Sequence, residues 1–113
     1  MKKIDLKISK ELLSEVFKLN ICEAYIENNN LYFDMGLPLI QRINLYEFAF
    51  KCKEWALKKE FIVHSSPTQK IECTAIAQNF NMNHSYYGQN QFYALTEIEA
   101  IIKACEWILE NSK

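Results

Sequence analysis

Residues 21–35, ICEAYIENNNLYFDM, carry the pattern that decides the fold. Cys22, Ala24 and Ile26 alternate with Glu23, Tyr25 and Glu27, the period-two signature of a strand with one buried face. Asn28-Asn29-Asn30 tolerates left-handed backbone angles, so the chain reverses there. Leu31, Phe33 and Met35 then point to one side, Tyr32 and Asp34 to the other. Strands of a parallel sheet are buried on both faces and read as continuous apolar runs; these are apolar on one face only. A short turn also forces antiparallel pairing, because a parallel crossover needs a dozen residues or more. An antiparallel sheet with a covered and an open face follows.

Outward from this hairpin, Lys3–Ile8 alternates in the same way, with Ile4, Leu6 and Ile8 on one side. Ser9 offers a cap to a helix running to Asn20, with Leu12, Leu13, Val16, Phe17 and Leu19 as its apolar stripe. Gly36 and Pro38 end the hairpin, and Leu37–Ile43 reads as an apolar connector packed down on the fold. Phe61–Ser65 and Lys70–Gln78 are strands around a turn at Ser65-Ser66-Pro67-Thr68, with Phe61, Val63, Ile71, Cys73, Ala75 and Ala77 inward. Phe92–Leu95 is a last short strand.

Two longer helices organise the remainder: Asn44–Lys59, NLYEFAFKCKEWALKK, and Thr96–Asn111, TEIEAIIKACEWILEN. Each opens on a capping-box pattern, Asn44…Glu47 and Thr96…Glu99. Leu45, Phe48, Ala49, Cys52 and Ala56 form the first apolar stripe, widened by Tyr46, Phe50 and Leu57. Ile98, Ile101, Ile102, Cys105, Ile108 and Leu109 form the second. Glu47/Lys51, Glu54/Lys58 and Glu99/Lys103 stand four apart with the acid first, each worth only ~0.2–0.5 kcal/mol. Packing rather than charge must hold these helices. Trp55 and Trp107 are placed at helix flanks near sheet edges.

The expected architecture is therefore a single α+β domain over residues 1–113, in the order βαββαβββα. Its two layers are an antiparallel sheet of four to six strands and about three helices packed on one face. A shift of 52 positions aligns the two long helices without a gap: Glu47/Glu99, Lys51/Lys103, Glu54/Glu106, Trp55/Trp107 and Leu57/Leu109 match, as do Gly36 and Gly88. Convergence on common helix formers accounts for this, and internal duplication, kept in play by the matching Trp and Gly, is the lesser alternative.

Composition narrows the function classes. Half of the 113 residues are hydrophobic and 24% are charged, which fits a globular protein and not a disordered one. With a formal net charge of −1, nothing pulls the chain toward nucleic acid or an anionic membrane. No apolar run follows the starting MKKIDLKISK, so no signal peptide is expected, and no run is long enough to span a membrane. Cys22, Cys52, Cys73 and Cys105 are widely spaced on predicted apolar faces, without CxxC or Cys/His clustering. Free buried thiols in a reducing cytoplasm are expected, with neither metal nor cofactor.

Three places remain where a function could sit. The open sheet face gathers Asp5, Glu23, Tyr25, Glu27, Tyr32, Asp34, His64 and Glu72, and tyrosine is favoured at interfaces. A solvated face needing no function is the commoner state. The stretch Asn79–Gln91, with Phe80, His84, Tyr86 and Tyr87 among amides, offers rings for stacking on a small ligand or an unpaired base. It carries no charge, and indeed none occurs between Glu72 and Glu97, so the basic track of a nucleic-acid groove is missing. A thiol enzyme using Cys52 or Cys73 with His64 or His84 is the least supported class, because an inward thiol is silenced by burial.

The surplus of apolar residues, including Leu37, Leu39, Ile40 and Ile43, exceeds what one small core hides. The leading expectation is thus a non-enzymatic protein–protein interaction module that self-associates as a homodimer. Its partner or ligand residues are taken from Tyr25, Tyr32, Asp34, His64, His84, Tyr86 and Tyr87.

Overall fold

The structure is a computed structural model that describes residues 8–34, 40–67, 73–79 and 89–111. The expected strand at 3–7, residues 35–39, residues 68–72 with Ile71 and Glu72, and residues 80–88 with His84, Tyr86 and Tyr87 lie outside that set. So do Gly36 and Gly88.

Nine elements are described: α1 (Lys10–Phe17), β1 (Glu23–Glu27), β2 (Asn30–Asp34), β3 (Gln41–Asn44), α2 (Leu45–Lys58), β4 (Phe61–Pro67), β5 (Cys73–Asn79), β6 (Gln89–Ala94) and α3 (Glu97–Asn111). The class is α+β with antiparallel strands and three helices, as expected. The strands do not form one sheet, however. They form two three-stranded meanders, β1-β2-β3 and β4-β5-β6. Each meander is closed by local hairpins, and α2 starts directly after β3, carrying the chain away before β4 begins.

The 21–35 stretch forms its antiparallel hairpin over Glu23–Asp34. Glu27 pairs with Asn30 across a two-residue turn, and Asn28 and Asn29 take φ of 50° and 63°. Two left-handed residues in a row match the twist of the flanking strands, and Asn tolerates them better than most. Leu31 and Phe33 are buried while Tyr25 is exposed, so the alternation holds. Cys22 departs from it: it precedes β1 and is exposed. Leu19 is exposed as well, because α1 stops at Phe17 and Lys18 caps it in the left-handed region. β3 occupies a stretch expected to be a connector; Gln41 and Arg42 are exposed and Ile43 is half-buried.

Caps follow the sequence closely. The Ser9 hydroxyl accepts from the Leu12 amide at 3.1 Å, and Thr96 accepts from Glu99 at 3.2 Å. Asn44 instead accepts from Tyr46, one residue earlier than a capping box requires. Glu106 of α3 receives both the Ser9 amide and the Ser9 hydroxyl at 2.9 Å, tying the start of α1 to the last helix. None of the three expected Glu/Lys pairs along the helices closes among the described residues; Lys59 instead pairs with Glu15 of α1 at 3.9 Å.

α3 lies across β4, β5 and β6 and against α2. Ala75 and Ala77 are fully buried, which lets the helix approach β5 closely, and Trp107 meets Phe61 edge-on at 5.6 Å. Phe17 of α1 stacks on Phe33 of β2 at 4.6 Å and on Phe48 of α2 at 5.6 Å, covering the first meander. Trp55 is buried rather than placed at a flank, and its indole N–H has no hydrogen-bond partner. Thr74 is buried, although alternation with the inward Cys73 and Ala75 sets it outward, and its hydroxyl lies 3.4 Å from that of Ser66.

No described helix is long and apolar enough to cross a membrane.

Candidate functional site

The outer face of the first meander is built in rows by its register. Glu23 stands opposite Asp34, Tyr25 opposite Tyr32 opposite Arg42, and Glu27 opposite Asn30 opposite Asn44. Tyr25 and Tyr32 stack with ring centroids 4.9 Å apart and 12° between planes, a pairing that adds about 0.5–1.5 kcal/mol beyond area burial. The exposed guanidinium of Arg42 continues the row. The structure therefore brings together three of the predicted residues, Tyr25, Tyr32 and Asp34. It sets His64 apart, on the outer face of the second meander in a row with Ile76 and Gln91. His84, Tyr86 and Tyr87 fall in 80–88, outside the described residues.

The cysteines divide by environment. Cys52 and Cys105 are buried where α2 meets α3, and the Cys105 thiol donates to the Cys52 carbonyl at 3.7 Å. A side-chain hydrogen bond that the Cys52 thiol makes to Cys105, and then burial, push that thiol well above the usual thiol range. A nucleophilic thiolate needs the opposite environment, so Cys52 is a core residue. Cys73 is half-buried and Cys22 exposed. Among the described residues no three His, Cys, Asp or Glu side chains converge as metal ligands.

A further surface appears that was read from sequence as core. Tyr46, Phe50 and Leu57 of α2 are 68%, 65% and 51% exposed. They stand on one side of the helix with Lys53, at intervals of four, three and four residues. Tyr46, Ala49, Phe50 and Lys53 form one wall of a shallow groove of about 180 Å³; Glu97, Ile98 and Ile101 of α3 form the other. At its end Lys53 donates to the Ser65 hydroxyl at 2.8 Å, and that hydroxyl donates to Glu97 at 2.6 Å. The relay holds the one cation of the stripe against an acid of its own chain.

A signal for this surface is present in the sequence. At about 100° per residue, the apolar positions of α2 from Trp55 round to Phe50 cover well over half of the circumference. A helix resting on one layer buries much less than that. Compared with known proteins, the chain matches no family model, no curated protein and no solved structure.

Proposed function

We propose that this chain is a protein–protein interaction module that self-associates and has no catalytic role. The observation that carries the reading is the apolar stripe Tyr46, Phe50 and Leu57, each more than half exposed on a helix whose opposite side is buried. Singly exposed apolar residues are ordinary, but a contiguous patch beside a groove marks a contact surface. The stacked Tyr25–Tyr32 pair and Arg42 offer a second contact surface of the composition enriched at interfaces. Burial of Cys52 and Cys105 in the core weighs against a thiol enzyme built on either.

Capture of a small ligand or an unpaired base by the 79–91 stretch is the alternative. It predicts that Tyr86→Ala and Tyr87→Ala abolish binding and leave the melting temperature unchanged. Sedimentation velocity of the chain across the micromolar range tests the main reading. The expected result is a sedimentation coefficient that rises with concentration from monomer toward dimer. A strict monomer throughout would overturn it.

A further inference from the structure

α2 and α3 share a frame, and one side of it is covered in α3 and open in α2. Tyr46, Phe50, Lys53 and Leu57 correspond, 52 residues on, to Ile98, Ile102, Cys105 and Leu109, all buried. Beside the open stripe runs a second row, Glu47, Lys51, Glu54 and Lys58. All four are exposed, and none of their side chains has a hydrogen bond or ion pair among the described residues. In α3 the matching Lys103 donates to the Tyr93 carbonyl and Glu106 holds Ser9, so there the row is used within the chain.

Resting on the reading of self-association, we propose that two copies pair by laying α2 antiparallel on α2 of the second copy about a twofold axis. Such an axis, perpendicular to both helices, keeps the charged row of one copy beside the charged row of the other. Read backwards, Glu-Lys-Glu-Lys becomes Lys-Glu-Lys-Glu. Glu47 then lies level with Lys58 of the second copy, and Lys51 level with Glu54 of the second copy.

The same offset interleaves the apolar stripes. Leu57 of the second copy falls between Tyr46 and Phe50, and Phe50 of the second copy falls between Lys53 and Leu57. A parallel arrangement, whose twofold axis runs along the helices, would carry the two charged rows to opposite edges of the seam and leave them without partners. The outer face of the first meander is a poorer self-partner, since it sets Glu23 beside Asp34 in one row. Lys53 is no obstacle, being held by Ser65 and Glu97 of its own chain.

The test uses two full-length variants, Glu47→Lys/Glu54→Lys and Lys51→Glu/Lys58→Glu. Each makes the row a single sign. Both are expected to melt like the unmodified chain, and each alone to dimerise with a dissociation constant raised roughly tenfold or more, since every cross-pair now repels. An equimolar mixture should recover the dimer, as one row is then basic and the other acidic. Phe50→Ser, which changes no charge, should also give monomer without loss of fold. If either charge variant dimerises as the unmodified chain does, if the mixture stays monomeric, or if Phe50→Ser still dimerises, the antiparallel α2 contact is wrong although self-association stands. If the unmodified chain is monomeric, self-association itself falls.

Discussion

Helices α2 and α3 share an apolar pattern and five matching residues at a shift of 52, yet α3 is covered on two sides and α2 on one. Both bury the side that carries Phe48, Ala49, Cys52 and Ala56 in α2 and Ala100, Ile101, Ala104 and Ile108 in α3. Only α3 also buries the neighbouring side, because it lies over all three strands of its own meander. α2 packs on α3 and β4 and meets its own meander more lightly, where Phe17 of α1 takes part of the space against Phe33. The same helical pattern is thus covered on one more side in α3 than in α2. Aromatic and aliphatic side chains remain at the uncovered positions.

The sharpest way to break this comparison is to make one change at both equivalent sites. Ile102→Ala should cost about 2–4 kcal/mol in urea unfolding, because a fully buried side chain leaves a cavity. Phe50→Ala should stay within roughly 0.5 kcal/mol when unfolding is followed at concentrations where the chain is monomeric. Equal losses would mean that Phe50 is core. Next in size, Glu106→Ala should destabilise by about 1 kcal/mol, since Ser9 loses both of its bonds across the chain. Glu54→Ala at the matching site should be close to neutral, and a double-mutant cycle with Ser9→Ala checks the difference.

The helix interface itself gives a smaller, pH-dependent effect. Cys52 has its ionisation raised in the folded state, so the native chain keeps a proton that the unfolded chain releases. Its contribution is fully present below the unfolded thiol value of about 8.5 and is lost as pH rises above it. The melting temperature should therefore fall as pH climbs past that point, and Cys52→Ala should flatten the slope. A profile unchanged by the substitution would contradict this origin. Smallest of all, Trp55→Phe should be neutral or slightly stabilising, because it removes a buried N–H without a partner.

Much of the fold was legible because it is written in local periodicity. Alternation placed Leu31 and Phe33 inside and Tyr25 outside, the two asparagines announced their turn, and Ser9 and Thr96 announced their caps. Division into two meanders was not legible, since strand alternation says which face is covered and not which strand is the neighbour. β3 escaped notice because Gln41 and Arg42 are both exposed, leaving Ile43 as its sole half-buried position. Cys22 and Leu19 were misplaced because each sits just beyond the end of its element, where periodicity no longer fixes direction.

The candidate surface was hidden for a related reason. Apolarity marks what would be stabilised by burial, and it does not say whether the covering layer belongs to the same chain. Tyr46, Phe50 and Leu57 look like core in sequence, as do their equivalents in α3. What separates them is tertiary: a sheet lies over one set and leaves the other open.

Whether a second copy supplies the missing layer is answered most directly by following backbone amide resonances of the unmodified chain on serial dilution. Concentration-dependent shifts should cluster on α2 around Tyr46, Phe50, Lys53 and Leu57 and leave the matching positions of α3 unmoved. Spectra that do not change with concentration, or shifts confined to the outer faces around Tyr25 and Tyr32 or His64 and Ile76, would contradict it.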